Sequence, residues 1–305
     1  MKKCCKDPFS PDTEIFMEGA SNVTSIHIRE EDVFETLLKM AFEEDLGTRG
    51  DVTSDAIFDD QKDVYWLVAK ETGILCGVDC FEKAFAYIDE TCQIKWFFTD
   101  GERLRSGDGV ARISGSIRSI LRAERVALNF ISHLSGIATR TREYVSELSG
   151  KTKLLDTRKT LPGWRTLQKY AVTCGGGINH RMGLHDMVMI KDNHVDGAGG
   201  ITAAVNKVRR KWGNQFKVEV EARNLREVTE AISAGADVIM LDNMDIPTMT
   251  RAVALINGRA ETEASGNMNL SRMGPVSLTG VDYISVGALT HSVTVFDFSI
   301  KKIFA

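Results

Sequence analysis

The stretch Asp186-Met-Val-Met-Ile-Lys191 recurs in altered form as Asp237-Val-Ile-Met-Leu-Asp242 and as Asp282-Tyr-Ile-Ser-Val-Gly287. Each copy has an aspartate, four mostly apolar residues and a chemically special residue five positions on. Side chains alternate along a strand, so Lys191, Asp242 and Gly287 occupy equivalent places at the C-terminal ends of equivalent strands. Further strands read at 153–156, 217–221 and 261–265, with a short one near 178–180. Helical runs such as ITAAVNKVRRKW, LREVTEAISAG and IPTMTRAVALING separate several of them. This alternation predicts right-handed βαβ units, a parallel sheet and, with six or seven strands, an incomplete α/β barrel. The chemistry of such a sheet belongs at the C-terminal ends of its strands.

Working outward, the first 25 residues carry Pro8 and Pro11 without periodicity and read as a flexible tail. The run from Glu31 places Val33, Leu37, Leu38 and Phe42 at helical spacing and stops at Gly47. Short β-type runs follow between Asp63 and Ile117, interrupted by the helical FEKAFAYI. A long helical stretch then carries Ile120, Leu121, Leu128, Ile131 and Leu134 on one face, with Gly136 as a break. The expected organisation is an α+β sandwich domain over 26–135 and a barrel over 136–288, with 289–305 packing back on the first domain.

Composition sets limits. The 305 residues are 43% hydrophobic and 26% charged, which suits a folded, water-soluble class, and no apolar run is long enough to span a bilayer. A net charge of −4 argues against a nucleic-acid binder, so any basic site is local. The six cysteines form no CxxC pair and the N-terminus has no apolar signal core, which together suggest a reducing, cytoplasmic setting.

The local basic site is legible between Lys153 and Val195, where DTRKT, NHR and KDNH cluster at the ends of apolar runs. Arg158, Lys159, Arg181 and Lys191, with Arg125, Arg165, Lys169 and His180 as further candidates, suit a polyanion: arginine forks match carboxylates and phosphates, and lysine adds a compact charge. Glu221 and Asp242 form an acidic set at strand ends, able to ligate Mg²⁺ or to stabilise positive charge developing on a sugar carbon. Ser265-Gly266-Asn267 and Ser285-Val286-Gly287 match late-strand loops that hold phosphate through backbone N–H groups. Gly175-Gly176-Gly177 reads either as a phosphate nest or as a tight turn, and lacks the ending of a Walker motif.

The segment DTRKTLPGWRTLQKYAVTCGGGINHRMGLHDMVMIKDNH, with RAERVALN upstream and VEVEA, IMLDN, EASG and GVDYISVGALTHS downstream, resembles the quinolinate phosphoribosyltransferase family. The resemblance runs from about residue 30 to the C-terminus. It implies a type II phosphoribosyltransferase fold: an N-terminal sandwich, a seven-stranded incomplete α/β barrel, and a homodimer or an assembly of dimers with shared active sites. It implies transfer of phosphoribosyl from phosphoribosyl pyrophosphate to quinolinate with loss of CO2, assisted by Mg²⁺, in NAD biosynthesis. By motif, Arg158, His180, Arg181 and Lys191 contact the quinolinate carboxylates, with Lys159 at the same site or near the phosphates, Thr157 a further substrate-binding residue, and Arg125 reaching into the neighbouring subunit's site. Glu221 and Asp242 lie by the ribose and its metal, and Ser265, Gly266, Asn267, Ser285 and Gly287 by the 5′-phosphate. Lys159, Lys191, Glu221 and Asp242 are the implied catalytic residues. Asn267 departs from the pattern, since many relatives have a second glycine there.

Other readings share parts of these features. A phosphoribosyltransferase-like protein of molybdenum transport or a nicotinate phosphoribosyltransferase has the fold but less need of the full basic set. A Schiff-base aldolase would use Lys191. A non-catalytic phosphate-binding module would need the cations without Glu221 and Asp242.

Overall fold

A computed structural model describes residues 30–302, so the expected N-terminal tail, with Cys4 and Cys5, lies outside the described residues. In chain order the elements are α1 (Glu30–Leu46), α2 (Val52–Ile57), β1 (Lys62–Ala69), β2 (Gly73–Ile74), α3 (Val78–Ile88), β3 (Gln93–Trp96), β4 (Arg103–Leu104), β5 (Gly109–Ser116) and α4 (Ile117–Ser146). There follow β6 (Lys153–Leu155), α5 (Arg165–Gly175), β7 (Val188–Ile190), α6 (Asp192–Ala198), α7 (Ile201–Trp212), β8 (Val218–Ala222) and α8 (Leu225–Ala234). The last are β9 (Val238–Asp242), α9 (Ile246–Ile256), β10 (Glu261–Ser265), α10 (Leu270–Ser277), β11 (Tyr283–Ser285), α11 (Ala288–His291) and β12 (Phe298–Lys301). They divide into two compact units, residues 30–139 with 162–174 and 294–302, and residues 140–161 with 175–293.

The first unit contains a four-stranded antiparallel sheet in the order β12-β1-β5-β3. The C-terminal strand pairs with β1 from Trp66↔Lys301 to Ala69↔Phe298. Along α4, Ile120, Ala127, Ile131 and Leu134 are fully or almost fully buried, as their helical spacing requires.

Two boundaries differ from the sequence reading. The break expected at Gly136 is absent, because α4 continues to Ser146. Gly136 is there for close approach: a β-carbon at this position would lie 2.2 Å from the Thr294 carbonyl oxygen. Residues 162–174, expected within the barrel, belong to the first unit. Their anchors are specific. Trp164 stacks on Phe130 with ring centroids 4.8 Å apart, and the Tyr170 hydroxyl donates to Asp100 Oδ2 at 2.9 Å. The polar residues of TLQKYAVTCG conceal an amphipathic helix whose buried face includes Leu167, Ala171 and Val172.

The second unit is built on a six-stranded parallel sheet in the order β6-β11-β10-β9-β8-β7. Ile178 makes one parallel bridge to Leu155, which marks a seventh strand position beside β6. Sequential neighbours therefore pair around the sheet except between the Ile178 segment and β7, where the barrel stays open. The crossover helices α8, α9 and α10 each start where a short polar side chain satisfies an early N–H. Asn224 accepts from Glu227 N, Asp245 from Thr248 N and Asn269 from Arg272 N. The strand cores of β8 and β9 are buried Val218, Val220, Ile239 and Leu241, each worth about 1.5–3 kcal/mol against exposure. The sheet thereby becomes a stiff base for the residues at its C-terminal edge.

Candidate active site

The register of the sheet decides which side chains meet. Glu221 pairs with Met240, Glu263 pairs with both Met240 and Tyr283, and Asp242 pairs with Ser265. In a parallel ladder such partners project to the same face. These strand ends border a cavity of about 730 Å³ lined by Thr157, Arg158, Lys159, His180, Arg181 and Lys191 on its basic side. Glu221, Asp242, Ser265, Gly266, Asn267, Ser285 and Gly287 complete it. Every site residue implied by the family resemblance lines this cavity except Arg125, which is exposed on α4 in the first unit; the further candidates Arg165 and Lys169 lie on α5 and do not line it.

The basic side is held by its own loops. Asp156 Oδ1 accepts the His180 N–H at 2.8 Å, and Asp186 closes the following loop by accepting from Met182 N at 2.5 Å and Gly183 N at 2.9 Å. Arg181 lies between them, with Nη1 donating to the Met187 carbonyl at 3.0 Å. Burial and the neighbouring Arg158 charge both lower its proton affinity, which is the mark of cations crowded where an anion would relieve them. The Lys191 N–H donates to His194 Nδ1 at 3.0 Å at the start of α6, so His194 secures the backbone that presents Lys191. Lys159 is fixed through its carbonyl, which accepts from Thr290 Oγ1 at 2.8 Å.

His180 sits deeper than a ligand-contacting reading alone suggests. Its Nε2 lies 3.1 Å from Glu219 Oε2 and 3.2 Å from Glu263 Oε2, both buried carboxylates. The Arg181 N–H donates to His180 Nδ1 at 2.7 Å, which directs the ring proton on Nε2 toward the carboxylates. Burial alone would lower the proton affinity of the imidazole, but the two carboxylates outweigh it and raise it. Burial and the Glu263 charge push Glu219 up to about 7. The cluster thus sets two buried carboxylates against one imidazole beneath the cations.

Opposite the cations, burial and then the Asp242 charge raise the Glu221 carboxyl above its ordinary range, while Lys191 pulls the other way. Two half-buried carboxylates facing one cavity offer hard oxygen donors, which suits Mg²⁺. Gly266 adopts φ +93, and Asn267 adopts φ +49, a left-handed conformation that asparagine tolerates better than most residues with a β-carbon. Gly175 to Gly177 do not line the cavity; the Gly175 carbonyl accepts from Arg142 Nε at 2.8 Å, and Gly176 turns the chain at φ +96.

The chain matches the model of the quinolinate phosphoribosyl transferase N-terminal domain over residues 51–135 and that of the C-terminal domain over residues 137–301. It belongs to the quinolinate phosphoribosyltransferase family. Among curated relatives, the probable nicotinate-nucleotide pyrophosphorylase [carboxylating] of Bacillus subtilis is 46% identical over 264 residues, covering 86% of this chain and 91% of that one. A mitochondrial quinolinate phosphoribosyltransferase [decarboxylating] of Nicotiana tabacum is 43% identical over 285 residues, covering 87% and 81%. The solved nicotinate-nucleotide pyrophosphorylase of Francisella tularensis superposes with a TM-score of 0.86 at 42% identity, covering 92% of this chain and 99% of that one. The fold is therefore that of the family, a separate N-terminal domain and an incomplete α/β barrel.

Family motifs alone left several cavity residues unselected: Met189, Met240, Asn243, Glu263, Met268 and His291. Glu263 had a signal, since it shares β10's face with Ser265 two residues on. His291 ends the short helix that starts after Gly287, and only the fold brings it to the cavity. No helix among the described residues is long and apolar enough to cross a membrane.

Proposed function

We propose that this chain transfers phosphoribosyl from phosphoribosyl pyrophosphate to quinolinate with decarboxylation, giving nicotinate mononucleotide, pyrophosphate and CO2 in NAD biosynthesis. The observation that carries this reading is one cavity sorted into three chemistries: Arg158, Lys159, Arg181 and Lys191, then Glu221 and Asp242, then the loops at Gly266 and Gly287. A planar dicarboxylate and a sugar bearing phosphate and pyrophosphate need those three in one place.

Arg158, Arg181 and Lys191 hold the two carboxylates of quinolinate, with Thr157 and Lys159 beside them and His180 supporting Arg181 from below. Glu221 and Asp242 face the anomeric carbon and stabilise positive charge as its bond to pyrophosphate breaks. The same two carboxylates would hold Mg²⁺, which when bound neutralises pyrophosphate charge. Ser265, Gly266, Asn267, Ser285 and Gly287 receive the 5′-phosphate. The pyridine nitrogen forms its bond to the sugar carbon, and the resulting pyridinium accepts the electron pair left when the adjacent carboxylate departs as CO2. A proton then takes that position on the ring. The protein contributes mainly orientation and electrostatics.

Arg125 acts in the cavity of a second copy, so the working unit is a homodimer or an assembly of dimers with shared sites. Its exposure on α4 supports this. A cytoplasmic setting is consistent with Cys76, Cys80, Cys92 and Cys174, which are free thiols. Incubation with phosphoribosyl pyrophosphate, Mg²⁺ and either quinolinate or nicotinate tests the activity. Product from quinolinate is expected; product from nicotinate alone would overturn the reading.

A further inference from the structure

Among the described residues, three without a glycine's freedom have positive φ: Asn243 at 52°, Asn257 at 47° and Asn267 at 49°. Asn257 caps the end of α9, an ordinary place for that conformation. The other two line the cavity, at the ends of neighbouring strands β9 and β10. Left-handed residues concentrated at a site are maintained by their surroundings at some energetic cost.

Their side chains are joined in series. Asn267 Nδ2 donates to Asn243 Oδ1 at 3.1 Å, and Asn243 Nδ2 donates to Asp242 Oδ2 at 2.8 Å. The backbones are tied as well, with the Asn243 N–H donating to the Ser265 carbonyl at 3.0 Å. Asn243 also fills the space beside Gly266, where a β-carbon would lie 2.2 Å from Asn243 Oδ1. The loop cannot shift at Gly266 or Asn267 without moving the amide that occupies one oxygen of Asp242.

Resting on the function proposed above, we propose that Asn243 and Asn267 are positioning residues that couple the phosphate-side loop to the carboxylate of Asp242. One amide ties down Oδ2, so Asp242 presents its other oxygen to the sugar side of the cavity in a fixed direction. A phosphate settling on Gly266 and Asn267 stiffens the loop and, through two hydrogen bonds, the carboxylate. Asn267 is well suited to this task because it keeps the left-handed backbone a glycine would have and adds a donor a glycine lacks.

Asn267→Gly and Asn243→Gly test the relay, since both keep the backbone conformation accessible while deleting the amide. Each is expected to lower kcat about 3- to 10-fold, the scale of one hydrogen bond, with the KM for quinolinate unchanged. The double variant is expected to be no worse than the worse single variant, because both changes cut one chain of contacts. Calorimetry supplies a readout independent of turnover. In the native protein Mg²⁺ should strengthen ribose 5-phosphate binding by about 5-fold or more, and that enhancement should vanish in Asn267→Gly. Thermal melts confirm that the variants are folded. Additive losses, or an enhancement retained in Asn267→Gly, would overturn the relay while native turnover of quinolinate leaves the proposed function standing. A native protein that turns over no quinolinate would remove the function and the relay together.

Discussion

Lys191 Nζ stands 3.9 Å from Glu221 Oε2, across the neighbouring C-terminal ends of β7 and β8. At that separation, with the lysine side chain about half exposed, the pair contributes little to stability. It balances the cavity instead, leaving an ammonium able to turn from a protein carboxylate to a ligand carboxylate. Lys191→Ala should therefore leave the thermal midpoint nearly unchanged while lowering kcat/KM for quinolinate by about 10- to 100-fold, the loss of a charged hydrogen bond. Lys191→Arg should not restore activity, because a planar fork replaces a compact charge. A large drop in midpoint with little kinetic effect would assign the lysine to the fold.

Arg125 is exposed on α4 and lines no part of its own chain's cavity. Arg125→Ala and Arg158→Ala should each abolish activity without unfolding the protein. Mixed dimers of the two should regain activity, since one of their two sites would combine native Arg125 with native Arg158. Demonstrated mixed dimers without activity would exclude a shared site.

The buried Glu219 carboxyl has its pKa raised from an ordinary 4.5 to about 7, by burial first and by Glu263 next. The folded protein therefore keeps a proton that the unfolded chain releases. This contribution to stability is complete below about pH 4.5 and is lost as pH rises through about 7. Urea midpoints should fall across that window, and Glu219→Gln should flatten the fall because its amide does not titrate. An unchanged slope in the variant would place the proton elsewhere.

Gly136 admits no side chain, because the Thr294 carbonyl occupies the place of its β-carbon. Gly136→Ala should lower stability by about 1–3 kcal/mol, the cost of overpacking, despite alanine's better helix propensity. Denaturant titration would register this as a lower midpoint at constant slope. A stabilised variant would mean that α4 and the 294–296 segment separate easily.

The barrel was legible because its signal is local: an aspartate, an apolar run and a special residue recur, and the fold places Lys191 just after β7 and Asp242 at the end of β9, with only β8 between the two strands. The cavity was legible for the same reason, since its charges cluster where apolar runs stop. What remained hidden depends on distant contacts. Residues 162–174 join the first unit through Trp164 on Phe130 and Tyr170 on Asp100, partners no periodicity reveals. Gly136 reads as a helix break until the carbonyl beside it is seen. His180 reads as one more cation, and only the register of β8 and β10 with β9 puts Glu219 and Glu263 against it.

The most direct test follows the carboxylate that leaves. Quinolinate labelled in the 2-carboxyl group, incubated with the protein, Mg²⁺ and phosphoribosyl pyrophosphate, should release labelled CO2 in equal amounts with pyrophosphate and nicotinate mononucleotide, and none when phosphoribosyl pyrophosphate is omitted. Nucleotide formed with the label retained, or no release under any condition, would contradict the account.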